Sequence, residues 1–240
     1  MQKDSKESYH ARMKAVILAA GEGKRMGPLT VDIPKPMLRL AGRPLLEHLL
    51  ESLPASVDEV ILVVGYRADQ IKAHFGEHFG RFRIHYVHQE KPEGTARALA
   101  LSKHLLGQER FLSLYADDLH GRDDLEALLK YPLSVLVKEV SNPERFGVVE
   151  LSDNGKVVSI VEKPSEPKNN LVVTGPAVLD KRIFEFEPPE HASGEFFLAE
   201  AIGKLVEHHP VVAVVQKFWM PIGYPKDLEK AQLWFKVKQI

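Results

Sequence analysis

Two glycines, an arginine and a proline-flanked lysine are the residues of this sequence whose types and spacing first point to chemistry. The segment Leu18-Ala19-Ala20-Gly21-Glu22-Gly23-Lys24-Arg25-Met26-Gly27-Pro28 continues a short apolar run, Ala15 to Ala20. Gly21 and Gly23 can take positive φ and bring backbone N–H groups close to a chain of phosphates, forming a concave nest for anions. Arg25 adds a planar fork for phosphate oxygens. Lys35, in Ile33-Pro34-Lys35-Pro36-Met37, stands between two prolines that stiffen the backbone and so aim its ammonium. Two fixed cations beside one nest fit phosphoryl transfer, although the same residues are compatible with a tight turn carrying solvated charges. Two sharper rivals fail on spacing. Gly21, Gly23 and Gly27 give G-x-G-x-x-x-G rather than G-x-G-x-x-G, and no acidic residue near Val64 ends the next strand to hold a ribose. An ATP-type P-loop needs G-K-[ST] after the glycines, and none follows.

The elements that must position these residues alternate. Ala15 to Ala20 suits a strand buried on both faces of a parallel sheet. Pro44 opens a helix with Leu46, Leu49, Leu50 and Leu53 at i, i+3, i+4 and i+7. Val60 to Val64 repeats the buried-strand pattern; Ala68 to His78 reads as a helix, Arg83 to His88 as a strand, Thr95 to Leu106 as a helix and Phe111 to Tyr115 as a fourth strand. This order predicts an α/β fold, a Rossmann-like, mostly parallel, doubly wound sheet with ligands beyond the carboxyl ends of its strands. After Pro132 the grammar changes. Leu133 to Val140, Gly147 to Leu151, Lys156 to Val161 and Leu171 to Thr174 are consecutive strand-like runs, with Asp153-Asn154-Gly155 as a hairpin turn. They predict an antiparallel lobe on the same sheet, expected to be acceptor-binding because the first half already holds the phosphate chemistry, followed by helices over about Glu195 to His208 and from Pro225. The expected organisation is a polar N-terminal extension over 1–12 and one domain over 13–240, with a nucleotide half at about 13–131 and an acceptor half at about 132–240.

Composition narrows the ligand. Thirty-two basic and 33 acidic residues among 240 give a formal net charge of -1, which argues against nucleic acid as partner and for a small ligand. With no cysteine there is neither thiol catalysis nor a thiolate metal site, a composition compatible with a cytoplasmic location. No apolar stretch approaches the roughly 18 residues of a spanning helix, so no membrane partner is expected. The eleven histidines show no metal-ligand spacing.

Together these residues resemble the sugar-nucleotide pyrophosphorylases, the nucleotidyltransferase family that includes glucose-1-phosphate thymidylyltransferase and UTP–glucose-1-phosphate uridylyltransferase. The likeness runs from Met13 to Leu233 and implies a GT-A-like nucleotidyltransferase fold. It implies that Ala20, Gly21, Gly23 and Arg25 hold a nucleoside triphosphate and that Lys35 helps neutralise the reacting phosphates. Gln89-Glu90-Lys91-Pro92-Glu93-Gly94-Thr95-Ala96 looks like the family's base-reading loop, in which Gln89 would meet the pyrimidine edge and Gly94 would admit the base; the bare residues are equally compatible with a turn. Asp117 resembles the family's Mg²⁺ aspartate, a hard oxygen ligand. Its neighbour Asp118 is left as a sugar contact, an outer support or a helix N-cap. Phe146-Gly147-Val148-Val149 and Val161-Glu162-Lys163-Pro164 look like sugar-binding motifs, so Gly147, Glu162 and Lys163 would serve the sugar phosphate, with Thr174 in the next strand; Pro176 and Ala177 depart from the family there. Pro221 in Trp219-Met220-Pro221-Ile222-Gly223 stands where many relatives carry a second carboxylate for Mg²⁺.

The implied reaction is transfer of a nucleoside monophosphate from a triphosphate, UTP or dTTP first, to a sugar 1-phosphate, releasing pyrophosphate. Arg25, Lys35, Lys163 and Mg²⁺ at Asp117 would carry it by holding two anions together. The alternatives are a CTP-dependent cytidylyltransferase acting on another phosphorylated acceptor, and a non-catalytic nucleotide-sugar-binding regulator suggested by Pro221. A glycosyltransferase suggested by Asp117-Asp118 is disfavoured by Arg25, Lys35 and Lys163 together. No acyltransferase or left-handed β-helix domain is expected within these 240 residues, and a homo-oligomer is compatible with them.

Overall fold

The computed structural model describes residues 12–238. Its frame is four parallel strands, β1 (Met13–Ala19), β2 (Val57–Val64), β3 (Phe82–His88) and β4 (Phe111–Tyr115), with β1 between β2 and β4 and β3 outside β2. The continuous apolar run of β1 reflects burial on both faces. Ala15, Ile17 and Ala19 enter one core layer while Val16, Leu18 and Ala20 enter the other. The first layer is closed by α1 (Leu45–Ser52), α2 (Ala68–Phe75) and α4 (Arg122–Leu128), and the second by α3 (Thr95–Leu101) and α5 (Leu198–Val206). Leu46, Leu49, Leu50 and Leu53 are all fully buried, as their spacing predicts. The sheet is doubly wound, as expected.

Beyond β4 the sheet turns antiparallel. The strands are β5 (Ser134–Glu139), β6 (Gly147–Leu151), β7 (Val157–Glu162) and β8 (Leu171–Leu179). β8 is longer than the expected Leu171–Thr174, because the chain passes Gly175 and Pro176 through an irregularity in its pairing with β5 and continues alongside β4. Its first half pairs with β6 through Val172 and Val148, and its second half pairs with β4 through Ala177 and Ser113. Gly175 makes this possible: its φ is 110°, and a Cβ there would stand 2.8 Å from the Tyr115 ring.

Further features depart from the sequence reading: the helix expected over Ala68 to His78 ends at Phe75, and His78–Phe79 pairs instead as a short strand against the start of β3. A further strand, β9 (Val212–Val215), joins β5 in parallel, so the second half is not purely antiparallel. The helix from Thr95 ends at Leu101 and gives way to a 3₁₀ turn at Lys103–Leu105, and α5 begins at Leu198 rather than near Glu195. Asp118–His120 is a short strand antiparallel to Trp219–Pro221, so Asp118 is not a helix N-cap; Gly121 occupies that position before α4. The last helix, α6 (Pro225–Lys238), packs with Met26, Leu38, Leu45, Leu119 and Ile222 in a third cluster at the ligand end of the sheet. Of the expected polar extension over 1–12, only Arg12 falls among the described residues. No helix among those residues is long and apolar enough to cross a membrane.

Candidate active site

A cavity of about 1450 Å³ opens at the carboxyl ends of β1 to β4 and runs under the antiparallel strands. Its wall includes every residue that the sequence nominated: Ala20, Gly21, Gly23, Arg25, Lys35, Gln89, Gly94, Asp117, Gly147, Glu162, Lys163 and Thr174. Residues more than a hundred positions apart meet there because β4 ends beside the start of β6, where the two halves of the sheet join.

The glycine loop folds back as a broken 3₁₀ turn, Lys24–Thr30, pinned by the Thr30 hydroxyl donating to Gly23 O at 2.9 Å. Gly23 has φ 68°, and a Cβ there would press on Lys35 Cβ and Thr30 Cγ2, both at 3.1 Å. Gly21 does not share that conformation. It lies outside the positive-φ set and faces open space, so its absent side chain clears the cavity rather than permitting a left-handed turn. Lys35 opens a 3₁₀ turn, Lys35–Met37, and is itself buried. Its ammonium donates to Asp117 Oδ2 at 2.6 Å, while one third of the Asp117 side chain remains accessible. Burial would raise the Asp117 carboxyl, but Lys35 and Arg25 outweigh it and the net shift is downward. The adjacent Asp118 moves the other way, raised by burial and by the charge on Asp117. Its carboxylate accepts from the Trp219 indole at 3.0 Å and from Ile222 N at 3.3 Å. Asp118 therefore ties the 219–222 segment to the end of the sheet.

On the wall formed by the antiparallel strands, Lys163 has φ 46°, an uncommon conformation for a residue with a side chain, immediately after β7. The turn returns its ammonium to Glu162 Oε1 at 3.5 Å and over the Phe197 ring at 4.0 Å. Burial raises the Glu162 carboxyl against the pull of Lys163. Gly147 leaves room for that carboxylate: a Cβ would stand 2.8 Å from Val173 Cγ2 and 3.1 Å from Glu162 Oε2. Gln89 is buried with Nε2 3.4 Å from Gly94 O. The side of Gly94 where a Cβ would stand is filled by Phe196 backbone at 2.6 Å, so glycine is required there for that approach, whatever else enters the cavity. Thr174 reaches the wall, but its hydroxyl is engaged by Gln216.

A match to the model described as Nucleotidyl transferase spans residues 14–236. The chain belongs to the nucleotidyl transferase family. It is 39% identical over 222 residues to the "Bifunctional protein GlmU" of Methanocaldococcus jannaschii, covering 91% of this chain and 53% of that protein. The chain thus spans about half the length of that relative. It is 32% identical to the "UTP--glucose-1-phosphate uridylyltransferase AglF" of Haloferax volcanii, covering 92% of this chain and 95% of the relative. A UDP-glucose pyrophosphorylase structure from Acinetobacter baumanii superposes with a TM-score of 0.83 over 94% of each chain; at 24% identity it shows the fold.

Several residues that support the cavity wall were not legible in the sequence. Gly65, just after β2, is squeezed between Ala20 O and Gln89 O, where a Cβ would stand 2.9 Å from each. A glycine directly after a buried strand was the available signal. The Gln216 side chain links Thr174 to His120 and also donates to Phe218 O. These partners orient the amide so that its nitrogen donates to His120 Nδ1 at 3.0 Å, which puts the imidazole proton on Nε2. His120 Nε2 is buried without a hydrogen-bond partner among the described residues. Among the described residues, no set of three or more His, Cys, Asp or Glu side chains forms a metal cage.

Two outcomes follow from this geometry. Gly147→Ala should cost about 1–3 kcal/mol of stability by overpacking Val173, Glu162 and Ala199; an unchanged urea midpoint would show that the wall yields freely. Burial holds His120 down at about 4, against 6.5 for a free imidazole. Above pH 6.5 it is neutral both folded and unfolded and contributes no pH dependence. Between pH 6.5 and 4 the unfolded chain takes up a proton that the folded chain refuses, so stability falls with pH. His120→Leu should reduce the loss measured by urea unfolding between pH 7.5 and pH 5 by about 2 kcal/mol, and equal losses in parent and variant would refute the assignment.

Proposed function

We propose that the chain transfers a nucleoside monophosphate from a nucleoside triphosphate, UTP or dTTP, to a sugar 1-phosphate, giving a nucleotide sugar and pyrophosphate. The observation that carries this reading is the convergence of two cation groups on one cavity from opposite halves of the sheet. Arg25 and Lys35 stand on the glycine-loop side, and Lys163 stands beside Glu162 on the other. The cavity exceeds the roughly 300–1,000 Å³ usual for one small ligand, as a site for two substrates requires. The name of the Haloferax volcanii relative, a UTP–glucose-1-phosphate uridylyltransferase, supports the substrate class and UTP. We divide the chain accordingly into a nucleotide half at about 13–131 and an acceptor half at about 132–240.

An oxygen of the sugar phosphate attacks the α-phosphorus in line; the new P–O bond forms as the bond from the α-phosphorus to the pyrophosphate bridging oxygen breaks. The nucleophile is already an anion, so no general base is needed. What the protein supplies is position and charge: Arg25 and the nest at Gly21 and Gly23 take the triphosphate, Lys35 faces the reacting phosphates, and Lys163 takes the acceptor phosphate. Gln89 and Gly94 border the place for the base, with Ala20 beneath it, and Glu162 and the backbone at Gly147 and Thr174 border the place for the sugar. Asp117, a hard oxygen donor with an accessible edge, would hold Mg²⁺, an ion often bound through only one or two protein carboxylates. Bound there, Mg²⁺ would neutralise phosphate charge.

The test is pyrophosphate release from each of four nucleoside triphosphates with a panel of phosphorylated acceptors, with and without Mg²⁺. Release that requires both substrates is expected, with UTP or dTTP fastest; a preference for CTP and another acceptor would select the cytidylyltransferase alternative. Nucleotide binding without release would instead select the regulatory reading that Pro221 motivates. Arg25→Ala should lower turnover by roughly 10²- to 10³-fold, the usual cost of losing one preorganised charge donor. A turnover within about threefold of the parent would remove Arg25 from the proposed machinery.

A further inference from the structure

Tyr224, at the junction between the Trp219–Pro221 strand and α6, has two guanidinium groups over its ring: Arg25 Cζ is 5.6 Å from the ring centroid and Arg145 Cζ is 4.8 Å from it. The two arginines come from different halves of the chain. Arg25 belongs to the glycine-loop turn and Arg145 to the 3₁₀ turn Pro143–Arg145 that leads into β6. Both line the cavity. We propose that Tyr224 is a positioning residue that sets these two guanidinium groups as a paired clamp for the phosphates of the nucleoside triphosphate, deepening the function proposed above and resting on it for the identity of the ligand.

Three observations carry this. First, the ring is anchored: Asp227 Oδ2 accepts from Gly223 N at 3.2 Å and from Tyr224 N at 2.9 Å, fixing the backbone that presents it. Second, an aromatic face attracts a guanidinium without consuming its N–H donors, so a stacked arginine keeps its in-plane fork for an anion, whereas a carboxylate partner would occupy that fork. Among the described residues neither Arg25 nor Arg145 is within ion-pair distance of a carboxylate, although Arg43, Arg67, Arg97 and Arg182 all are. Third, two like charges gathered on one ring repel each other, and Lys226 and Lys230 of α6 line the same cavity. An anionic ligand with several negative oxygens relieves that repulsion; a triphosphate has them, and a neutral sugar does not.

The experiment is titration calorimetry of the full chain with UTP and with inorganic tripolyphosphate, which reports phosphate binding without a base, on the parent, Tyr224→Leu, Tyr224→Phe and Arg145→Gln. Tyr224→Leu should weaken tripolyphosphate binding by about tenfold, while Tyr224→Phe, which keeps the aromatic face, should stay within about twofold. Arg145→Gln should weaken it by a similar factor, and combining it with Tyr224→Leu should add less than the two separate effects, because both act through one contact. In steady state, Tyr224→Leu should raise KM for the triphosphate and lower kcat by less than the loss expected of Arg25→Ala, because the guanidinium is displaced rather than removed. The proposal is overturned if Tyr224→Leu or Arg145→Gln binds tripolyphosphate as the parent does, or if Tyr224→Phe loses as much as Tyr224→Leu. Because Arg145 is exposed, its variant tests the clamp even if Tyr224→Leu does not fold. Absence of pyrophosphate release by the parent together with the expected tripolyphosphate pattern would sink the proposed reaction and keep the clamp.

Discussion

The buried contact between Lys35 and Asp117 constrains the rest of this site. An ammonium that is almost wholly enclosed is costly unless a carboxylate meets it at good geometry, and here the two partners lie 82 residues apart in sequence. Holding them at 2.6 Å requires the proline-flanked turn at Lys35–Met37 on one side and the end of β4 on the other, braced by Ala116 N donating to Leu18 O at 3.1 Å. One cation cannot serve both members of the Asp117–Asp118 pair. The chain therefore gives Asp118 neutral donors, the Trp219 indole and the Ile222 amide, and in doing so fixes how the C-terminal segment crosses the site.

The position of that contact follows from the sheet. Parallel strands deliver their loops to one edge, so the ends of β1 to β4 bring the glycine loop, Gly65, Gln89 and Asp117 together. The antiparallel strands reach the same place only because β8 serves two neighbours in succession, β6 and then β4. A straight strand with a side chain at 175 would collide with Tyr115, and the two halves of the sheet would not meet at a common cavity. Gly147 and Lys163 complete the second wall by complementary means, one by lacking a side chain next to Glu162 and the other by a left-handed backbone that returns its ammonium.

What the sequence made legible was what burial and spacing dictate locally. β1 and the Val60–Val64 part of β2 appear as continuous apolar runs because both faces are covered, β3 as an alternating strand with Arg83 and His88 exposed, and α1 as four leucines at helical spacing because one face is buried. The nominated site residues share one cavity although only some of them, Ala20, Gly21, Gln89, Asp117 and Lys163, stand just past a strand end; Gly147 opens β6, Thr174 lies within β8 and Lys35 sits in a separate 3₁₀ turn. Contacts whose partners are chosen by tertiary structure were not legible. The ladder between 118–120 and 219–221 is short, polar and aromatic, without alternation, and β9 runs parallel to β5 with only four residues to announce it. The Thr174–Gln216–His120 chain joins residues that carry no local signal at all, and the differing conformations of Gly21 and Gly23 depend on what stands against them rather than on glycine itself.

The same C-terminal segment engages three of the aspartates at this end of the sheet. From 216 to 224 it is stitched down by aspartates: Asp124 accepts from the amides of Lys217 and Phe218, Asp118 from Trp219 and Ile222, and Asp227 from Gly223 and Tyr224. Three side chains that could have bound a cation are thus used to hold a strap across the end of the sheet, and Pro221 adds none. Asp117 differs from them in having a side-chain ammonium as its partner and an accessible edge. An ammonium can shift toward arriving phosphate in a way that a backbone amide cannot, so Asp117 is the aspartate of this wall whose charge can be redistributed when anions enter. The neighbouring carboxylates, fixed to the backbone, keep the frame in place while that happens.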